Sequence, residues 1–128
     1  MSKLILAIED DPAISELYWE LLTEAGYQVQ ILASKPIDVQ SIAQIQPDLV
    51  ISDWGVAQQH LNWNFINSMP ATPGTAVIPI VVCTAISLKI NQLGVRLNGR
   101  KVKVLGKPFD IEELLRVVEN TMGEPLSL

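Results

Sequence analysis

The chain reads as an α/β protein of the doubly wound, (βα)5 kind: a five-stranded parallel sheet with helices on both faces. Three observations predict this. Short apolar runs recur at Leu4-Ile5-Leu6-Ala7-Ile8, Leu49-Val50-Ile51 and Ile80-Val81-Val82-Cys83, and Val29 to Leu32 and Val102 to Leu105 read as further short strands. Each has strand length, and the longer runs are too continuous for a strand with one wet face. Segments with helical spacing lie between them, and such alternation implies parallel strands covered on both sides. Hydrophobic residues make up 48% and charged residues 18%, which supplies a core and argues against disorder.

The elements follow in order. After the first apolar run, Pro12 suits the first turn of a helix. Ile14, Leu17, Tyr18, Leu21, Leu22 and Ala25 follow at helical spacing, and Gly26 stops it. After the second strand, Ile37 to Gln46 reads as a short helix with Ile37, Ile42 and Ile45 inward, closed by Pro47. The third strand delivers Asp53 at its carboxyl end. Gln58 to Met69 is expected to be helical, and Met69 to Thr75 a Pro/Gly-rich loop. The fourth strand ends at Thr84, and Leu88 to Leu93 is a further expected helix. The fifth strand runs into Lys107-Pro108-Phe109. Asp110 is then a good N-cap for a last helix, with Glu112 and Glu113 in its first turn and Leu114, Leu115 and Val118 inward.

The 128 residues suit one domain spanning 1–128, without linker or repeat. The net charge of −5 and the sparse basic residues between Lys89 and Lys107 speak against direct nucleic-acid binding, which calls for a basic stripe. A lone Cys83 cannot form an internal disulfide and is expected to be inert core in a reducing, cytoplasmic setting. The first apolar run ends at once in acids, so no signal peptide is evident. The run from Val77 to Ile86 falls far short of a membrane span, so no membrane contact is expected.

In open parallel sheets, ligands bind beyond the carboxyl ends of the strands. Glu9, Asp10 and Asp11 follow the first strand, Asp53 ends the third, Thr84 ends the fourth and Lys107 follows the fifth. Carboxylates gathered at one rim repel each other unless a cation is present. Oxygen-only donors suit Mg²⁺ rather than a softer metal. A carboxylate can also attack phosphorus to give an aspartyl phosphate, with the Lys107 ammonium and the Thr84 hydroxyl meeting the phosphoryl oxygens. Read singly, the three acids cap a helix, Asp53 ends a strand, Thr84 is core or cap and Lys107 is a loop lysine. Together they are expected to form a phosphoryl site.

In sequence order, Glu9-Asp10-Asp11-Pro12, Val50-Ile51-Ser52-Asp53, Thr84-Ala85 and Lys107-Pro108-Phe109 resemble the receiver domains of two-component response regulators over essentially the whole chain. The resemblance implies a 2-1-3-4-5 strand order, Mg²⁺ held by Glu9, Asp10, Asp53 and the backbone carbonyl of Gly55, and Asp53 as phosphoacceptor. It also implies Thr84 and Lys107 as phosphoryl partners. A sensor histidine kinase or phosphotransfer protein would be the donor, and a homodimer through the fourth and fifth helices is a family habit.

Several positions depart from the family. Ala57 and Leu61 stand where a proline and a glycine are usual, Val104 replaces the usual aromatic, and the segment 94–100 lacks the usual Gly-Ala. A pseudo-receiver that works as an interaction module without phosphorylation is therefore the alternative reading. Gly55 and Ile86 stand where family side chains orient the hydrolytic water, so a long-lived aspartyl phosphate is expected. Gly55 also occupies the place of the second aspartate of aspartate-nucleophile phosphatases, which argues against that chemistry.

Overall fold

The computed structural model describes residues 3–9, 11–32, 39–54, 74, 75, 77–84, 102–106 and 110–123, with residues 53, 54, 84, 102–104 and 123 described at the backbone only. Five strands, β1 (Leu4–Ile8), β2 (Gln28–Leu32), β3 (Leu49–Trp54), β4 (Ile80–Thr84) and β5 (Val102–Gly106), form one sheet. Its order is β2-β1-β3-β4-β5, and every pairing is parallel. The helices among the described residues are α1 (Pro12–Glu24), α2 (Val39–Ile45) and α3 (Ile111–Gly123). The expected helices at 58–69 and 88–93 lie outside the described residues.

The period-two alternation of the strands divides the core into two layers. Leu6, Ile8, Val50, Ile80 and Val82 face Ile42 of α2. Ile5, Ala7, Leu49, Ile51, Val81, Cys83 and Leu105 face Tyr18 and Leu22 of α1 and Leu114 and Val118 of α3. Strands buried on both faces have no polar side to spare, which is why they appear in the sequence as continuous apolar runs. Burial of an aliphatic side chain contributes about 1.5–3 kcal/mol, so each of these two layers contributes strongly to folding.

Local chemistry sets the ends. Asp11 caps α1, its side chain accepting from the Ala13 N–H at 2.9 Å, and Pro12 takes the first helical position. Gly26, at φ 103°, turns the chain out of α1 toward β2. Asp110 caps α3 by accepting from the Glu113 N–H at 2.8 Å. The observed α2 occupies Val39–Ile45, inside the expected span 37–46, whose first two residues are not described. Leu17 is 47% exposed although it shares the helical spacing of its neighbours. Tyr18 and Leu22, four apart, define the inward line of α1, and Leu17 stands one residue, about 100°, away from it.

Candidate functional site

The carboxyl ends of β1, β3, β4 and β5 meet at one rim. Ile8 is level with Ser52 in the β1–β3 register, so Glu9 and Asp53 come next, side by side on adjacent strands. On the other side of β3, Asp53 is level with Cys83 and Trp54 with Thr84. Thr84 is in turn level with Gly106. Four strands thereby bring backbone positions 9, 53, 84 and 106 together, and Lys107 follows directly in sequence. Lys107 itself, Asp10 and Gly55 lie outside the described residues, as do the altered loop at 56–64 and the segment 94–100.

Glu9 is the described acid with an unusual environment. It is only 7% exposed. Its Oε1 accepts from the Asp11 N–H at 3.0 Å. Its Oε2 is buried and has no hydrogen-bond partner among the described residues. A buried polar atom left without a partner costs about 1–3 kcal/mol, and more when it belongs to a charged group. A hard cation is the natural counterpart for such an oxygen. The donors that follow β1 or end β3, Glu9, Asp10 and Asp53, are all carboxylates, so the residues present fit Mg²⁺. Among the described residues no three candidate ligands converge, Asp10 and the Asp53 side chain not being among them.

The backbone of Glu9 is held at both ends. Its N–H donates to the Leu32 carbonyl at 3.3 Å, and its carbonyl accepts from the Ser15 Oγ at 3.2 Å. The Ser15 N–H also donates to the Asp11 carbonyl at 2.9 Å. The helix-capping role that the sequence leaves open for the three acids falls to Asp11, while the Glu9 side chain is buried. Sequence reasoning passes over Ser15, because a serine in the early turns of an amphipathic helix carries no distinctive signal.

Below the rim, Tyr18 of α1 is buried and its hydroxyl shares a hydrogen bond with the Cys83 thiol. Burial first, and then Cys83, pushes the phenol far above its ordinary range. Cys83 is free and buried, next to Thr84 in sequence and level with Asp53 in register. The contact spans from α1 to β4 and was not legible from spacing alone. No described helix is long and apolar enough to cross a membrane.

Comparison with known proteins gives a consistent family picture. The family profile for the response regulator receiver domain matches residues 5–119. The transcriptional regulator RpaA of Synechocystis is 37% identical over 115 residues, which cover 87% of this chain and 45% of that protein. NtrC of Bradyrhizobium is 27% identical, over 94% of this chain and 24% of its own length. The chain thus spans less than half the length of these curated relatives. Among solved structures, the receiver domain of the sensor histidine kinase PA1611 from Pseudomonas aeruginosa superposes with a TM-score of 0.77 at 24% identity. The match covers 96% of this chain and 99% of that one, and that structure has magnesium coordinated in its active-site cleft.

Proposed function

The chain belongs to the response regulator receiver domain family, and from that premise we propose that it is a single phosphoacceptor domain, residues 1–128, that takes a phosphoryl group on Asp53. The observation that carries the reading is Glu9. It is a buried acid with one oxygen unpartnered, directly after β1 and beside the end of β3 that carries Asp53. Glu9, Asp10, Asp53 and the Gly55 carbonyl would hold Mg²⁺, the metal in the cleft of the PA1611 domain.

The donor is a histidine kinase or a phosphotransfer protein. An Asp53 carboxylate oxygen attacks the phosphorus of a phosphohistidine. The P–O bond forms as the P–N bond breaks, and the departing imidazole nitrogen keeps the bonding pair and takes up a proton. When bound, Mg²⁺ supplies charge that offsets the negative charge on the phosphoryl oxygens. Lys107 meets one phosphoryl oxygen with its ammonium, and the Thr84 hydroxyl donates to another. The domain catalyses its own modification rather than turnover of a free substrate.

The relatives RpaA and NtrC are DNA-binding regulators, but the −5 charge of this chain disfavours contact with nucleic acid by this domain. It would act in the cytoplasm on a protein partner or on a second copy of itself.

Acetyl phosphate with Mg²⁺, followed by intact mass measurement, tests the proposal. Wild type should gain the mass of one phosphoryl group and Asp53→Ala should not. A second reading is favoured by Ala57, Leu61 and Val104, which depart from the family at its loop and switch positions. In that reading the fold serves as an interaction module without phosphorylation, and wild type would gain no mass.

A further inference from the structure

Glu9 poses a question that its place in the rim does not answer. A buried carboxylate oxygen without a donor should rotate toward water or toward a neighbouring N–H, unless the carboxylate and the backbone that carries it are both held. Three contacts hold them: the N–H on the Leu32 carbonyl at 3.3 Å, Oε1 on the Asp11 N–H at 3.0 Å, and the carbonyl under the Ser15 Oγ at 3.2 Å. The first joins two backbone groups, and the second is made by the Glu9 carboxylate on a backbone N–H. The third comes from the side chain of another residue, and it is the one that this sequence chose.

We propose that Ser15 is a positioning residue for the metal site, its hydroxyl clamping the Glu9 carbonyl so that Oε2 stays aimed into the rim, ready for a cation. The inference rests on the reading that Glu9 holds Mg²⁺. Ser15 stands in the second turn of α1, where the Asp11 cap and the hydrogen bond from the Ser15 N–H to the Asp11 carbonyl at 2.9 Å anchor it to the same loop. Glu9, Asp11 and Ser15 are thus tied to one another, and the helix start sets the carboxylate. Without the hydroxyl, the Glu9 peptide loses this side-chain donor and can turn, letting Oε2 reach water. The metal-free protein then sheds an unsatisfied buried oxygen, while the metal must bring the carboxylate back.

That logic makes opposite demands on affinity and stability, which a purely structural serine would not do. The full chain is titrated with MgCl₂ by calorimetry, as wild type, Ser15→Ala, Ser15→Thr and Glu9→Gln, and each is melted in EDTA. Ser15→Ala should bind Mg²⁺ about tenfold more weakly, the low end of what loss of an orienting partner costs a metal site. Its metal-free melting temperature should be unchanged or higher, and Ser15→Thr, which keeps the hydroxyl, should restore the affinity. Wild-type affinity in Ser15→Ala, or a lowered metal-free melting temperature with affinity intact, overturns the proposal. If wild type binds Mg²⁺ and Glu9→Gln abolishes binding while Ser15→Ala is silent, the role of Ser15 alone falls. If wild type takes up no Mg²⁺, the metal reading falls and takes this inference with it.

Discussion

Gln46 has φ 55°, the left-handed region, at the exit of α2, where its N–H still donates to the Ile42 carbonyl at 3.0 Å. A side chain with a Cβ is strained there by about 1–2 kcal/mol. Gln46→Gly should therefore stabilise the fold by about 1 kcal/mol after the extra freedom of glycine in the unfolded chain is deducted; urea melts at neutral pH would read it directly. Tyr18 gives a pH signature at the same scale. Its phenol is held neutral in the folded state by burial and by Cys83, so above the ordinary phenol value of about 10 the unfolded chain releases a proton that the folded one keeps. The associated stability is complete below that pH and is lost as pH rises beyond it. Tyr18→Phe should flatten the alkaline limb of stability between about pH 9.5 and 11.5. At neutral pH it should cost about 1 kcal/mol for the lost hydrogen bond.

At the scale of the element, the ends of α3 and α1 are set by single side chains, whereas their placement is set by packing. Asp110 satisfies the Glu113 N–H, and Glu112 and Glu113 add acidic charge to the positive end of the helix. Asp110→Ala should lower stability by about 1 kcal/mol, with the urea m-value unchanged, because only a cap is lost. Leu22 is wholly buried on the inward line of α1, between the helix and the face of the sheet that carries Ile5, Ala7 and Ile51. Leu22→Ala leaves a cavity there and should cost about 2–5 kcal/mol in the same melts. The gap between these two magnitudes says that helix position here is decided by the core and helix boundary by the caps.

At the scale of the molecule, the sheet order puts β1 and β3 side by side, so strand ends far apart in sequence lie along one rim. The lifetime of the proposed phosphoryl group belongs to that rim as a whole. Hydrolysis needs a water held in line, and Gly55 and Ile86 bring no polar side chain to hold one. The aspartyl phosphate made with acetyl phosphate should outlast that of chemotaxis-type receivers, and Ile86→Gln should shorten it severalfold. A wild-type half-life as short as theirs, followed by intact mass over time, would count against the expectation.

The sequence by itself determined what depends on local pattern: runs of strand length, Pro12 and Gly26 bounding α1, and Asp110 opening α3. Those signals are short-ranged, since period, capping and backbone preference act over a few residues. Only the tertiary structure decided which of the three acids caps the helix and which turns inward, that Leu17 stays at the surface, and that Tyr18 reaches Cys83. It also decided that Ser15 holds the Glu9 carbonyl. Each of these depends on which strand lies beside which and on how a helix is rotated against the sheet, and that rotation is settled by the sum of many side-chain contacts rather than by any spacing along the chain.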